Sequence, residues 1–263
     1  GRQPELGAPY SDPASGGRAR DPDELLHRKH ASALGNFDEG LEVDALDLPV
    51  RQAVAARVVT HQGALGRQPA EQAVHLADDH YLNNESRDVQ LLVACCIADI
   101  LRIFAPEAPY KDPAQIKIIF LFLIKQLGGL KDPKDPAFKR YFYLLENLAY
   151  VKSFNMCFDL EESTEIFVSL FKLMFKIVND EHSGKVKNFM LDVMSPLITE
   201  GDFVSNELLD VILINIVEPH KTKRKHAFFL AKELIFKTSD MLELYIQTVI
   251  TKRYGKCRER FLL

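Results

Sequence analysis

Between Arg87 and Phe104 the chain sets apolar side chains almost all the way round a helix, and few folds can hide such a segment. Val89, Leu91, Leu92, Val93, Cys95, Cys96, Ile97, Ile100, Leu101, Ile103 and Phe104 crowd it, and Asp88, Asp99 and Arg102 form one narrow polar stripe. At roughly 100° per residue those three lie within about 60° of one another. A helix of this kind has to be covered by neighbours on several sides. A membrane is not the expected cover: the run Ile118 to Ile124 is seven uninterrupted apolar residues, far short of the roughly 18 to 20 that span a bilayer.

The segments that follow supply the cover. Helical spacing predicts helices over Ala114–Leu127, Phe138–Lys152, Ser163–Val178, Lys185–Thr199, Asn206–Val217, Lys223–Lys237 and Asp240–Lys252. Ser163 reads as an N-cap, and Asp240 with Glu243 as a capping pair. Pro106, Pro109, Pro113, Gly128-Gly129, Pro133, Pro136, Gly184, Gly201 and Pro219 punctuate the connections. No stretch alternates with period two for long, so strands are not expected. The helices that look most buried begin near 88, 138, 185 and 223. Helix pairs recurring at intervals of that order point to a HEAT-type solenoid, in which each pair covers its neighbour's apolar face. Ser-Arg-Asp-Val at 86–89 and Ser-Gly-Lys-Val at 183–186 open two of these helices alike. The expected fold class is therefore all-α, a helical-repeat solenoid over residues 71–254, with a compact bundle as the alternative.

Before residue 70 the chain changes character. Residues 1–70 hold no Ile, one Lys (Lys29) and two aromatics, Tyr10 and Phe37. Residues 1–80 carry 8 basic and 13 acidic side chains, leaving 25 and 24 for the remainder. So few large apolar groups under a net negative charge do not offset chain entropy. Residues 1–70 are expected to be a disordered tail, with a weak helix over Leu46–Val59 whose start Pro49 cuts. The overall net charge of −4 argues against a general nucleic-acid binder, whose phosphate contacts need a basic surplus. The four cysteines, Cys95, Cys96, Cys157 and Cys257, include no Cys-x-x-Cys. They make no disulfide framework, and a reducing compartment is expected.

Chemistry is sparse. The chain has no Gly-x-Ser-x-Gly, no phosphate-binding Gly-x-x-x-x-Gly-Lys, no His-Glu-x-x-His and no Gly-x-Gly-x-x-Gly. His75 and His80 stand five apart, which turns them about 140° from each other on a helix. A surface pair is expected there, not a metal site. Cys95 and Cys96 read as small hydrophobes. Glu146, between Leu145 and Leu148, reads as a partly buried carboxylate in a helix-to-helix hydrogen bond. An enzyme built around Glu146 or the His pair would need a metal or cofactor, and neither is expected. Two basic clusters are candidate contacts: Lys221, Lys223, Arg224 and Lys225 at a helix start, where the dipole disfavours cations, for acidic partners or nucleic acid, and the run from Lys252 to Arg260 into a basic tail over 255–263 for nuclear import or phosphate.

The segment most suggestive of binding is Ala105-Pro106-Glu107-Ala108-Pro109-Tyr110. Two prolines three apart stop the long helix and hold the next turn extended, because each fixes its own φ and restricts the residue before it. A stiff loop follows, with an acid and an aromatic expected on display.

The run from Leu91 to Tyr110, LLVACCIADILRIFAPEAPY, and the run from Arg140 to Ser153, RYFYLLENLAYVKS, closely resemble the N-terminal region of a family of cohesin-associated regulators called precocious dissociation of sisters protein five. Met190–Met194, Glu200-Gly-Asp202 and Leu208–Asn215 continue the likeness, which runs from about Ala73 to about Glu243. The resemblance implies a HEAT-repeat, non-enzymatic, nuclear and chromatin-associated scaffold in sister chromatid cohesion. Its implied partners are the cohesin ring, through the kleisin subunit, and the release and protection factors Wapl and sororin. It implies no cofactor, no membrane and no small-molecule substrate. In the family the Ala-Pro-acid-Ala-Pro segment is associated with docking of short linear motifs, and the matching residues are Ala105 to Tyr110. Residues 1–70 and the last ten or so depart from the family, and the family's main kleisin contacts lie largely beyond the matched part, so the expectation falls on the regulators first. A generic HEAT adaptor in transport or signalling is the alternative.

Overall fold

Three serines set where helices begin. Ser86 Oγ accepts from the Val89 N–H at 3.4 Å, Ser183 Oγ from Val186 at 3.4 Å, and Ser205 Oγ from Leu208 at 3.2 Å, each satisfying one amide that the first turn leaves without a partner. The computed structural model describes residues 73–105, 107–243 and 245–247, all inside the unit Val43–Leu263. The tail expected over 1–70, with its helix over 46–59, and the basic end over 255–263 lie outside the described residues. In chain order the helices are α1 Asp79–Leu82, α2 Arg87–Phe104, α3 Pro113–Leu127, α4 Phe138–Tyr150, α5 Ser163–Ile177, α6 Gly184–Met194, α7 Pro196–Thr199, α8 Asn206–Leu213, α9 His220–Lys223 and α10 Lys225–Lys237. Short 3-10 turns cover Gly128–Lys131, Ser153–Cys157 and Ile214–Ile216, and the chain is also helical at 73–76, 239–243 and 245–247. No strand occurs among the described residues.

Several boundaries differ from expectation for local reasons. Ser163 is the first residue inside α5, and Glu162 flanks it without a side-chain cap. Asp240 is likewise inside its helix, and Glu243 accepts from the Gln247 amide at 3.0 Å instead of closing a capping pair. Asp112 caps α3, accepting from Ala114 and Gln115, with Pro113 at the first turn where no N–H is missed. The helix expected over 185–199 breaks at Ser195-Pro196, since the proline has no amide to donate. Arg224, at φ −130 and ψ 59, separates α9 from α10.

The helices stack in two layers. α2 packs on α4, α4 on α6 and α6 on α10, while α3 packs on α5 and α5 on α8. The first layer is made of the four helices whose sequences look most buried. It also repeats a contact: Tyr143 Oη donates to Asp99 at 2.5 Å, Lys185 Nζ to Glu146 at 3.1 Å, and Lys237 Nζ to Asp192 at 2.5 Å. Each carboxylate reaches the next helix of the layer. The charged stripe of α2 thus faces α4, with Asp88 beside Arg140 at 3.7 Å. Glu146 makes the helix-to-helix bond expected of it, and Lys185 also sits over the Phe142 ring at 5.1 Å.

Between the layers lie Ile97, Ile119, Phe120, Leu144, Leu145, Leu148 and Phe171, all essentially without exposure. Burying side chains of this size is worth about 1.5–3 kcal/mol each. Phe120 of α3 meets Phe154 at 5.0 Å between ring centroids. The stretch Pro113–Lys131 is long and apolar enough by length and composition to cross a membrane. Here it is a core segment, with Ile119, Leu123, Leu127 and Leu130 fully covered.

On the opposite edge, buried His182 fastens the α5–α6 loop to the turn after α3. Its Nε2 lies 2.7 Å from the Leu130 carbonyl, and the Asn179 N–H donates to Nδ1 at 3.3 Å. One nitrogen donating and the other accepting is the neutral ring. Burial lowers its pKa first, and Lys187 and His226 add to that, against the Leu130 carbonyl and Glu181. A depressed value means the stability it contributes is complete above the ordinary histidine pKa of about 6.5 and is lost as pH falls toward the lowered folded value. Thermal melts should therefore fall between pH 7.5 and 5.5 in the wild type, and by less in His182→Gln, whose amide still donates and accepts. Equal losses in both proteins would assign the effect to other groups.

Candidate functional site: a cleft beside the first inter-helix loop

The connections from the first layer to the second form one edge of the stack, and a cleft of about 330 Å³ opens there. One wall is the end of α2 and the loop after it, through Leu101, Ala105 and Ala108; the other is the turn after α4, through Val151, Lys152, Ser153, Asn155 and Met156. A second cleft of about 340 Å³ follows, between that turn and the α6–α7 junction, and Lys152 belongs to both.

The loop Ala105–Tyr110 does not sit as the sequence suggests. Glu107 is displayed, its side chain 86% exposed and 3.8 Å from an equally outward Lys111. Tyr110 is not: it is 3% exposed and part of the core. Its ring contributes more by leaving water than by facing it, and burial, with the nearby Cys96 adding, drives the phenol pKa upward. Ala108 is buried beside the cleft and Pro109 is half-buried; Pro106 lies outside the described residues. The expected pair of anchors is thus reduced to one acid above a small apolar wall.

The second wall carries the feature that sequence reasoning missed. α4 ends at Tyr150, and Lys152 follows at φ 51, the one non-glycine residue with positive φ among those described. A left-handed residue stops a helix, but glycine or asparagine would have signalled it, and lysine does not. Lys152 Nζ bonds Glu200 at 2.5 Å, and Asn155 Nδ2 donates to the same carboxylate at 2.7 Å. The turn is held from the end of α7, which Glu200 follows.

The other singled-out residues do not join this cleft. His75 bonds Asp78 at 2.5 Å, and both His75 and His80 meet the Tyr81 ring edge-on. Cys95 and Cys96 are buried, with Cys95 Sγ 3.7 Å from the Arg140 carbonyl. Among the described residues no three His, Cys, Asp or Glu gather to hold a metal. Lys221, Lys223, Arg224 and Lys225 are exposed across the α9–α10 break, where Arg224 donates to the Phe175 carbonyl at 3.1 Å and Lys221 lies 5.5 Å from the Phe228 ring.

Two stacked layers of paired helices, with polar contacts repeated from pair to pair and a cleft along one edge, define an α-solenoid of the HEAT type. A chain from the solved structure of the Pds5-Scc1 complex has the same fold, with a TM-score of 0.58 and 21% identity, covering 95% of this chain and 35% of that one. The family model for sister chromatid cohesion protein PDS5 matches residues 59–253. The protein belongs to the sister chromatid cohesion protein PDS5 family. It is 54% identical to PDS5 homolog B of Homo sapiens over 174 residues, 66% of this chain and 12% of that protein. It is 56% identical to PDS5 homolog A of Gallus gallus over 171 residues, 65% of this chain and 13% of that one. The chain therefore spans about an eighth of the length of these relatives.

Proposed function

We propose that this protein is a non-enzymatic scaffold of sister chromatid cohesion, nuclear and chromatin-associated, whose first loop docks short linear motifs of the cohesin release and protection factors Wapl and sororin. The cohesin ring is the assembly on which it acts, and the direct contact is with these regulators. The observation that carries this reading is the placement of Glu107: burial of Ala108 and Tyr110 holds the loop to the core and leaves an exposed acid, with Lys111 near it, beside a cleft whose lining is mostly apolar. A loop fixed in this way has little conformational entropy left to lose when a peptide arrives. The carboxylates that sequence singles out are occupied structurally, Glu146 by Lys185 and Asp99 by Tyr143, which suits a scaffold. The lysines at 221, 223 and 225 offer a secondary surface for an acidic partner, with Arg224 engaged by a carbonyl.

Fluorescence anisotropy with tiled, labelled peptides covering Wapl and sororin tests the reading. At least one peptide should bind, and Glu107→Lys should weaken it roughly tenfold, about 1.4 kcal/mol, as reversal of a facing charge does. Lys131→Glu, outside the cleft, should change affinity by less than about twofold. Binding by Glu107→Lys equal to wild type would place the site elsewhere.

A further inference from the structure

α10 ends the first layer, with α6 beside it and no further helix of that layer among the described residues. Its inward face is Ala227, Leu230, Ala231 and Leu234, all buried. Its outward face carries two large rings in water: Phe229 is 56% exposed and Phe236 is 85% exposed. Lys232 and Glu233 stand between them, both exposed. At roughly 100° per residue these four side chains fall on one stripe about 100° wide. Exposed Lys225 continues the stripe one turn earlier.

The order Phe-x-x-Lys-Glu-x-x-Phe has a centre, between Lys232 and Glu233. Read in either direction from it the apolar positions coincide, and the charges exchange sign. Such a face is complementary to itself. Turned end for end about a two-fold axis at that centre, a second α10 sets its Phe236 against Phe229 and its Phe229 against Phe236. The same turn brings lysine to glutamate on both sides of the axis. Contacts between identical copies related by a two-fold need this self-complementarity. The charge order continues outward, with Lys225 ahead of Phe229 and the exposed Asp240 beyond Phe236.

We propose that the outward face of α10 is a dimerisation surface, occupied by the same face of a second copy of this chain lying antiparallel to it. The charges decide for a second copy. A partner helix of one sign would set a like charge against Lys232 or Glu233, and a wholly apolar one would bury both without a counter-charge. The pairing also extends a rule of the layer, in which Glu146 and Asp192 each take a lysine of the next helix. The rings supply the apolar centre that such a contact requires. So few side chains make a small interface, with a Kd of roughly 10 μM.

Sedimentation velocity of the full chain from about 1 to 100 μM tests this, with a thermal melt of each variant at the lowest concentration. Wild type should pass from monomer to dimer across that span. Lys232→Glu and Glu233→Lys each set like charges together on both sides of the axis, so each should weaken the dimer roughly tenfold. Mixed in equal amounts the two variants are complementary again, and a heterodimer of about wild-type affinity should form. Phe236→Asp should abolish association without lowering the melting temperature. A mixture that fails to recover the dimer, or a dimer indifferent to these substitutions, overturns the proposal. Growth beyond a dimer overturns it too, since a two-fold contact closes. So does a wild type that stays monomeric; a melting temperature of Phe236→Asp below wild type would then give the face to a segment of the same chain.

Discussion

Replacing Gly129 with alanine is expected to destabilise the fold by about 3 kcal/mol, the upper end of what forced overpacking of a core costs. A Cβ on Gly129 would lie 2.2 to 2.3 Å from three atoms of the Tyr141 ring. Non-bonded carbons do not approach so closely, so the ring has to move. Tyr141 is 5% exposed on α4 and its displacement would disturb the packing of α4 against the turn after α3. For a domain of this size the melting temperature should fall by roughly 6–12 °C. Gly184→Ala is the control: nothing lies within 4 Å of its added Cβ, and it opens α6, where alanine is the better helix former. That variant should melt at or slightly above wild type. Shrinking the ring in Gly129→Ala/Tyr141→Leu should recover part of the loss. Equal melting of Gly129→Ala and wild type would mean that the turn and α4 do not meet as described.

Tyr110 yields the second large effect, of opposite sign for its two simplest variants. Tyr110→Ala removes a fully covered aromatic and should cost about 3 kcal/mol or more, as cavity-forming truncations of this size do. Tyr110→Phe keeps the ring and deletes a buried hydroxyl with no hydrogen-bond partner among the described residues, so it should be neutral or stabilising. Chemical denaturation of the two proteins reads this directly. A displayed anchor would behave differently: Tyr110→Ala would leave stability alone and weaken only peptide binding. The pair thus separates a core residue that supports the loop from a residue that touches the ligand.

The two positions also show what could be read from the sequence and what could not. The layers were legible because their warrant is periodic. Leu144, Leu145 and Leu148, or Ile166, Leu170, Phe171 and Met174, announce a buried face through spacing alone, and the serines before α2 and α6 announce their starts. Single residues at junctions carry no such period. Tyr110 follows two prolines, and nothing in its neighbours says whether its ring turns in or out; the long-range packing of the core decides it. Lys152 takes a left-handed conformation without being glycine, and its side chain bonds Glu200, 48 residues on. Ser153 then looks like a residue near a helix end, although it lines a cleft. Half of the candidate site was visible as the Pro-rich loop. The other half arises from a contact between repeats, which no local pattern encodes.

One edge of this solenoid, between the first loop and the turn after α4, is the surface proposed to take a peptide. Hydrogen–deuterium exchange of the whole chain, with and without the tightest-binding peptide, measures this most directly, since amides covered by a ligand or steadied by it exchange more slowly. Exchange is expected to slow in two separate stretches, 105–112 and 151–156, and the slowing to be largely lost from both in Glu107→Lys at a peptide concentration near the wild-type Kd. Protection confined to α10 or to the lysines at 221–225, with both walls of the cleft exchanging as in the free protein, would contradict it.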